Sequence, residues 1–294
     1  MTPRECLTYK RAATTAELSH LRSLLFAPGS DERKLRTALA SDADAVVCDL
    51  EDAVAPAEKE ASRGLVARLL AGTETSCARM VRINGVATEL WRDDLESVGA
   101  LGLDAVVLPK ATPDAVEALG EDGPPVIAIV ESAEGVRLAY ETARAPRVVA
   151  LVLGAVDLGL ELGLEPRPDG QELLHARSKL VLDSAAARIR APFDVVHLDV
   201  RDDDGLEAEA RLARSLGFRG KACVHPAQVG VVNRVFAPGE AEIERARRVV
   251  EAYERGVAEG RGAVALDGEM IDLPVVERAR HVLAEAKRRA FYAE

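Results

Sequence analysis

The chain has 294 residues, 48% of them hydrophobic and 30% charged, and a formal net charge of -11. That composition supplies a large core with a smaller appendage, and the acidic balance, without any long basic block, offers nucleic acid or an anionic membrane no electrostatic footprint. No apolar run approaches a membrane span, and Cys6, Cys48, Cys77 and Cys223 lack the paired spacing of a zinc or redox motif, so they read as buried thiols of a cytoplasmic protein.

Residues 1–20 are polar, carry Arg4, Lys10 and Arg11 without the hydrophobic segment of a secretory signal, and read as an extension or frayed arm. From Arg22 onward, apolar runs alternate with helix-like segments at the spacing of a βα repeat. The runs are Ser23–Ala27, Ala45–Leu50, Met80–Ile83, Ala105–Leu108, Val126–Val130, Val148–Leu153, Val195–Val200 and Lys221–Val224. Ser30 reads as an N-cap with Asp31 and Glu32 in the first turn, Pro113-Asp114 opens another helix, and Asp203-Asp204 precedes a helix that Gly217 closes. Eight strands alternating with helices predict an α/β fold, a (β/α)8 TIM barrel over residues 21–236.

The stretch Pro125–Leu164 carries the clearest chemical signal. Val126–Val130 ends in Glu131, and Val148–Leu153 runs into Gly154-Ala155-Val156-Asp157. Ser132–Arg144 has the charge and spacing of a crossover helix, which makes the two strands parallel neighbours and aims both carboxylates into one space. Such a pair suits a hard divalent cation such as Mg²⁺. The plain alternative makes Glu131 a helix cap and Asp157 a turn residue.

At the same strand ends the chain meets Pro28-Gly29-Ser30, Asp49 with Glu51 and Asp52, Arg82 with Asn84, Lys110, Asp199 and His225. In a βα barrel that rim is where sites are built. His225 and His197 lie in apolar strand contexts and read as satisfied core histidines.

After Phe236, Pro238-Gly239 breaks the pattern. Glu240–Ala258 is amphipathic, Asp267-Gly268 signals a hairpin between Val264-Ala265-Leu266 and Met270-Ile271, and Val275–Ala290 is a last helix. Residues 237–294 thus predict a helix-hairpin-helix unit too small to stand alone.

The segments LLFAPGSDERKL, ADAVVCDLEDAVAPAEK, VRINGV, LDAVVLPKA, IAIVESAEG, LGAVDLGLELG, GFRGKACVHPAQ and DGEMIDLPVVERA, in this order and spacing from about Arg22 to Ala290, resemble the citrate lyase β-chain-like CoA ester lyases of the HpcH/HpaI aldolase superfamily. The resemblance implies a Mg²⁺-dependent barrel, with Mn²⁺ as a substitute, and a C-terminal lid, in a homo-oligomer of three or six chains acting on acyl-CoA and small keto acids such as malyl-CoA or citramalyl-CoA. It makes Glu131 and Asp157 the metal ligands and Asp49 and Glu51 holders of the metal's waters. Arg82 becomes the guanidinium facing the substrate's charged oxygens, and Asp272 the acid/base carboxylate carried by the lid over a neighbouring subunit. Helix-cap or ion-pair duty is the competing assignment for Asp49, Glu51, Arg82 and Asp272. Lys34, with Arg33, can meet CoA phosphates. Val156 stands where many relatives carry an acid, leaving the backbone donors of Ala155 and Val156 for a substrate carboxylate. Two other functions compete: a CoA-independent pyruvate-type aldolase, and a citrate lyase complex subunit or CoA-ester-binding regulator without turnover.

Overall fold

The computed structural model describes residues 18, 20–73 and 75–293, with side chains as far as residue 287. It divides into two compact units, one ending at Phe236 and the other beginning at Ala237.

The first unit is built on seven parallel strands: β1 (Ser23–Pro28), β2 (Ala45–Asp49), β3 (Ala78–Arg82), β4 (Ala105–Leu108), β5 (Val126–Val130), β6 (Val148–Leu153) and β7 (Lys221–Cys223). They form one curled sheet in the order β6-β5-β4-β3-β2-β1-β7. β2, β5 and β6 are buried along their whole length, because a parallel sheet with helices outside and side chains inside leaves neither face wet. One layer packs Leu25, Val46, Val81 and Leu151 against helix residues such as Leu35 and Val66. The other fills the concave face with Leu24, Val47, Met80, Ile127, Val152 and Phe193.

Side chains alternate with period two along a strand. The residues following Val47, Met80 and Ile129 on the concave face are therefore Asp49, Arg82 and Glu131. Alternation alone puts two acids and a guanidinium at the C-terminal rim of three strands.

The predicted run Val195–Val200 is not a strand. Phe193 bridges Val152 of β6, and Asp194 bridges Lys221 of β7, so single parallel bridges span the two sheet edges just before that run. Beyond them the chain turns outward, with Leu198 at 67% exposure. The pairing stops there because the Val224 N–H is taken by the Gln228 side chain.

Several local expectations are corrected. Asp31, not Ser30, caps helix Glu32–Leu39 by accepting from the Lys34 N–H. Asp202 caps helix Asp203–Leu216. Ser132–Arg144 is two short helices, Ala133–Arg137 and Ala139–Arg144, divided at Leu138, whose φ of -99° and ψ of 15° leave helical geometry. His225 is exposed and closes a capping box at helix Pro226–Val235. His197 is half-buried, with Nδ1 3.1 Å from Glu209 Oε2, so neither histidine is a core residue. Leu18, expected in a polar arm, is buried. Cys48, Cys77 and Cys223 are buried free thiols, burial pushing Cys48 and Cys223 up to about 12; Cys6 lies outside the described residues.

The second unit holds helix Glu240–Ala258, an antiparallel hairpin of β8 (Val264–Leu266) and β9 (Glu269–Ile271), and helix Leu273–Ala293. Asp267 and Gly268, at φ of 51° and 84°, make the two-residue turn, which needs left-handed backbone at both positions. Arg245 pairs with Glu269 and Arg248 with Asp267, tying the hairpin to the first helix.

Candidate active site

A cavity of about 490 Å³ opens at the C-terminal rim of the first unit, lined among others by Phe26, Asp49, Arg82, Glu131, Ala155 and Asp157. Asp49 and Arg82 face each other on adjacent strands, with Nε to Oδ1 at 2.7 Å and Nη2 to Oδ2 at 2.6 Å. Asp49 also accepts from the N–H groups of Glu51 and Ala53. It is at once the turn cap and the anchor of Arg82. Burial works against the charge of Arg82, but the Asp49 hydrogen bonds, with Glu51 beside them, overcome it and raise the guanidinium's pKa. Its cation also lies 5.4 Å from the Phe26 ring centroid.

Glu51 is buried, and its Oε2 lies 3.1 Å from Arg82 Nη1 without the alignment of a hydrogen bond. Its Oε1 accepts from Lys110 Nζ at 2.7 Å. Burial pushes the Glu51 carboxyl up, with Arg82 and Lys110 pulling the other way.

Glu131 follows β5. The cap of the next helix is Ser132, whose hydroxyl accepts from the Gly135 N–H, so Glu131 is spared that duty. Its Oε1 accepts instead from the Lys110 N–H at 2.7 Å. Lys110 supplies this bond from left-handed backbone, φ 51°, a conformation uncommon outside glycine. Gly154 is the complementary accommodation: a Cβ there would lie 2.6 Å from Glu131 Oε2 and 2.4 Å from its Cβ. Burial first, then the nearby charges of Glu51 and Asp157, push the Glu131 carboxyl up to about 7 against the Lys110 hydrogen bond.

Asp157 sits in the first turn of helix Ala155–Leu162, after Gly154, which has no side chain to cap the helix. Ala155 and Val156 are the first two helical residues, so their N–H groups are among those without an intrahelical partner. Val156 is 52% exposed and lines the cavity.

Among the described residues no three His, Cys, Asp or Glu side chains are grouped to enclose a metal ion. The arrangement instead fits an ion that takes a few carboxylates and fills its remaining positions with water or substrate, as Mg²⁺ does. Glu131, buried beside two further acids, is the place where such a charge would be best compensated.

Lys34 is exposed, 3.8 Å from Asp31, and is not among the cavity-lining residues. Asp272 belongs to the second unit, where its Oδ1 accepts from the Val275 N–H at 3.4 Å. Lys110, which the sequence places on the rim without a role, takes two: its N–H on Glu131 and its Nζ on Glu51. The cavity also has an apolar wall of Val195, Val196, Ala222 and Val224, all four of which fall in runs whose pattern predicts strand.

Residues 22–226 match the HpcH/HpaI aldolase/citrate lyase family. The citrate lyase subunit beta of Leuconostoc mesenteroides subsp. cremoris is 37% identical over 89% of this chain and 92% of its own. A (3S)-malyl-CoA thioesterase of Cereibacter sphaeroides is 40% identical over 90% of this chain and 94% of its own. Among solved structures, CitE of Mycobacterium tuberculosis in complex with magnesium, acetoacetate and coenzyme A is 36% identical, covers 90% of this chain and 98% of its own, and superposes with a TM-score of 0.79.

Proposed function

Because the chain belongs to the HpcH/HpaI aldolase/citrate lyase family, we propose that it is a Mg²⁺-dependent carbon–carbon lyase that cleaves or forms a malyl-CoA or citramalyl-CoA type ester. The products of cleavage are acetyl-CoA and glyoxylate or pyruvate. The observation that carries the reading is the meeting of Glu131, Asp157 and the Asp49-held Arg82 in one cavity. The magnesium bound by the CitE relative supports the same assignment here.

In this reading Glu131 and Asp157 hold the ion, and Asp49 and Glu51 stand behind it. Once bound, Mg²⁺ polarises the oxygen on the carbon being attacked or released. The first-turn N–H groups of Ala155 and Val156 receive the substrate carboxylate. Cleavage removes the hydroxyl proton and breaks the bond to the acyl α-carbon, leaving its electron pair in the thioester enolate. Arg82 faces that developing negative charge with a guanidinium that stays protonated. A proton delivered to the α-carbon completes acetyl-CoA, and Asp272 is the carboxylate assigned to proton transfer.

The test is to incubate the purified protein with Mg²⁺ and a panel of acyl-CoA esters. Acetyl-CoA released in equal amount to a 2-oxo acid supports the lyase. Free CoA with an intact hydroxy acid would make the protein a hydrolase like the thioesterase relative.

A further inference from the structure

The wall of the cavity between the two sheet edges is held by side chains rather than by a strand. The Asp194 N–H reaches the Gly220 carbonyl at 2.8 Å, and the Ala222 N–H reaches the Asp194 carbonyl at 2.9 Å. The next donor along this side, the Val224 N–H, goes instead to Gln228 Oε1 at 2.9 Å. The His225 N–H shares that oxygen at 3.3 Å. Across the gap, Gln228 Nε2 donates to the His197 carbonyl at 2.8 Å. Gln228 is 1% exposed, and only this orientation of its amide satisfies two donors and one acceptor together.

Lys221 makes a second tie. Its buried ammonium donates to the Val195 carbonyl at 2.5 Å and to Asp194 Oδ2 at 3.1 Å. Arg177 holds the other oxygen of Asp194 at 2.9 Å. Segment 194–197 is therefore anchored to β7 and the helix after it through Lys221 and Gln228. Val195, Val196, Ala222 and Val224, the residues these ties position, line the same cavity as Glu131, Asp157 and Arg82. All four are aliphatic, so they discriminate among ligands by volume alone.

We propose that Gln228 is a positioning residue that fixes the gap between segments 195–197 and 222–225, and thereby sets how bulky a 2-oxo acid the cavity admits beside its carboxylates. The inference rests on the lyase reading for the ligand class, and on the hydrogen bonds alone for the clamp. Truncating or disarming this side chain lets the wall relax outward, which favours larger acids over smaller ones.

The experiment uses the full chain with Gln228→Glu, which keeps the acceptor and loses the donor, and Gln228→Met, which loses both. Amide hydrogen exchange reads the clamp, and calorimetric Kd values for glyoxylate and 2-oxobutyrate with Mg²⁺ read the size selection. Gln228→Glu should speed exchange over residues 195–198 while protection at Val224 persists; Gln228→Met should speed both. In each, the Kd ratio of 2-oxobutyrate to glyoxylate should fall about fivefold or more, a modest share of the roughly 10–200-fold that a single methylene is worth in an apolar pocket, the two acids differing by two carbons. A folded variant with faster exchange and an unchanged ratio overturns the specificity role. Unchanged exchange in both variants overturns the clamp. Should the unaltered protein bind neither acid with Mg²⁺, the lyase reading fails, and the exchange data decide the clamp by themselves.

Discussion

Asp49 and Arg82 are register partners on neighbouring parallel strands and also close a two-point ion pair, so backbone and side chains fix the same geometry. The carboxylate is 2% exposed and anchors the adjacent turn as well. A guanidinium held in this way arrives at the cavity with little freedom left to lose.

Arg82→Lys is therefore expected to be far from conservative. A lysine offers one point charge where the pair needs a planar fork, and kcat/KM should fall by about a hundredfold or more, the scale of losing one oriented donor to a developing oxyanion. Steady-state release of acetyl-CoA checks this. Near-normal kinetics would confine Arg82 to holding Asp49.

Glu131 gives stability an unusual pH dependence in the metal-free protein. Its carboxyl has an ordinary value of 4.5 and lies at about 7 in the folded chain. Between those values the folded state keeps a proton that the unfolded chain releases, so the contribution of Glu131 to stability falls as pH rises and levels off above about 7. Glu131→Gln removes that slope, and at pH about 8 the variant should exceed its parent by roughly 1–3 kcal/mol, given about 1.4 kcal/mol per pKa unit. Urea unfolding of both proteins across pH, in chelator, tests it; parallel curves would refute it.

Asp194 behaves in the opposite sense. Burial would raise its pKa, yet Lys221 and Arg177 together hold it below the ordinary 3.8. The stability it contributes is complete above that value and is lost as pH falls through the lower folded value. Asp194→Asn leaves the two buried cations with Glu209 as their remaining carboxylate partner and should cost about 3–5 kcal/mol, read by urea unfolding at neutral pH. A loss below about 1 kcal/mol would mean that Glu209 alone suffices for both cations.

Asp272 separates a cap from a catalyst. Asparagine caps a helix as well as aspartate does, so Asp272→Asn should leave unfolding nearly unchanged while activity drops by about 10²-fold or more if the carboxylate moves a proton. Mixing this variant with Asp157→Ala chains, under conditions of subunit exchange, should restore turnover if one chain serves another's metal centre. No recovery despite verified exchange would restrict Asp272 to its own chain.

Much of this was legible in the residues because parallel strands write themselves as apolar runs and period two carries the pattern to the rim. Val47 predicts the facing of Asp49, and Ile129 that of Glu131. Val195–Val200 misled for the same reason: an alternating aliphatic run reads as strand, while the hydrogen bonds that stop it come from Lys221 and Gln228, more than twenty residues later. Lys110 was hidden differently. Beyond its Nζ on Glu51, its part lies in a backbone N–H and a left-handed φ, which no side-chain pattern reports. The pairing of Arg82 with Asp49, by contrast, was one of two compatible roles the residue types allowed, and the register places that pair without excluding the other.

The most direct test of the central claim is turnover of malyl-CoA and citramalyl-CoA by the unaltered protein and by Asp157→Ala, each with saturating Mg²⁺ and with excess EDTA, alongside Mn²⁺ binding followed by electron paramagnetic resonance. A Mg²⁺-dependent lyase built on Asp157 gives Mg²⁺-dependent release of acetyl-CoA by the unaltered protein alone, and loss of both Mn²⁺ binding and turnover in a variant with an unchanged circular dichroism spectrum. Undiminished turnover in EDTA, or full activity of Asp157→Ala, would contradict it.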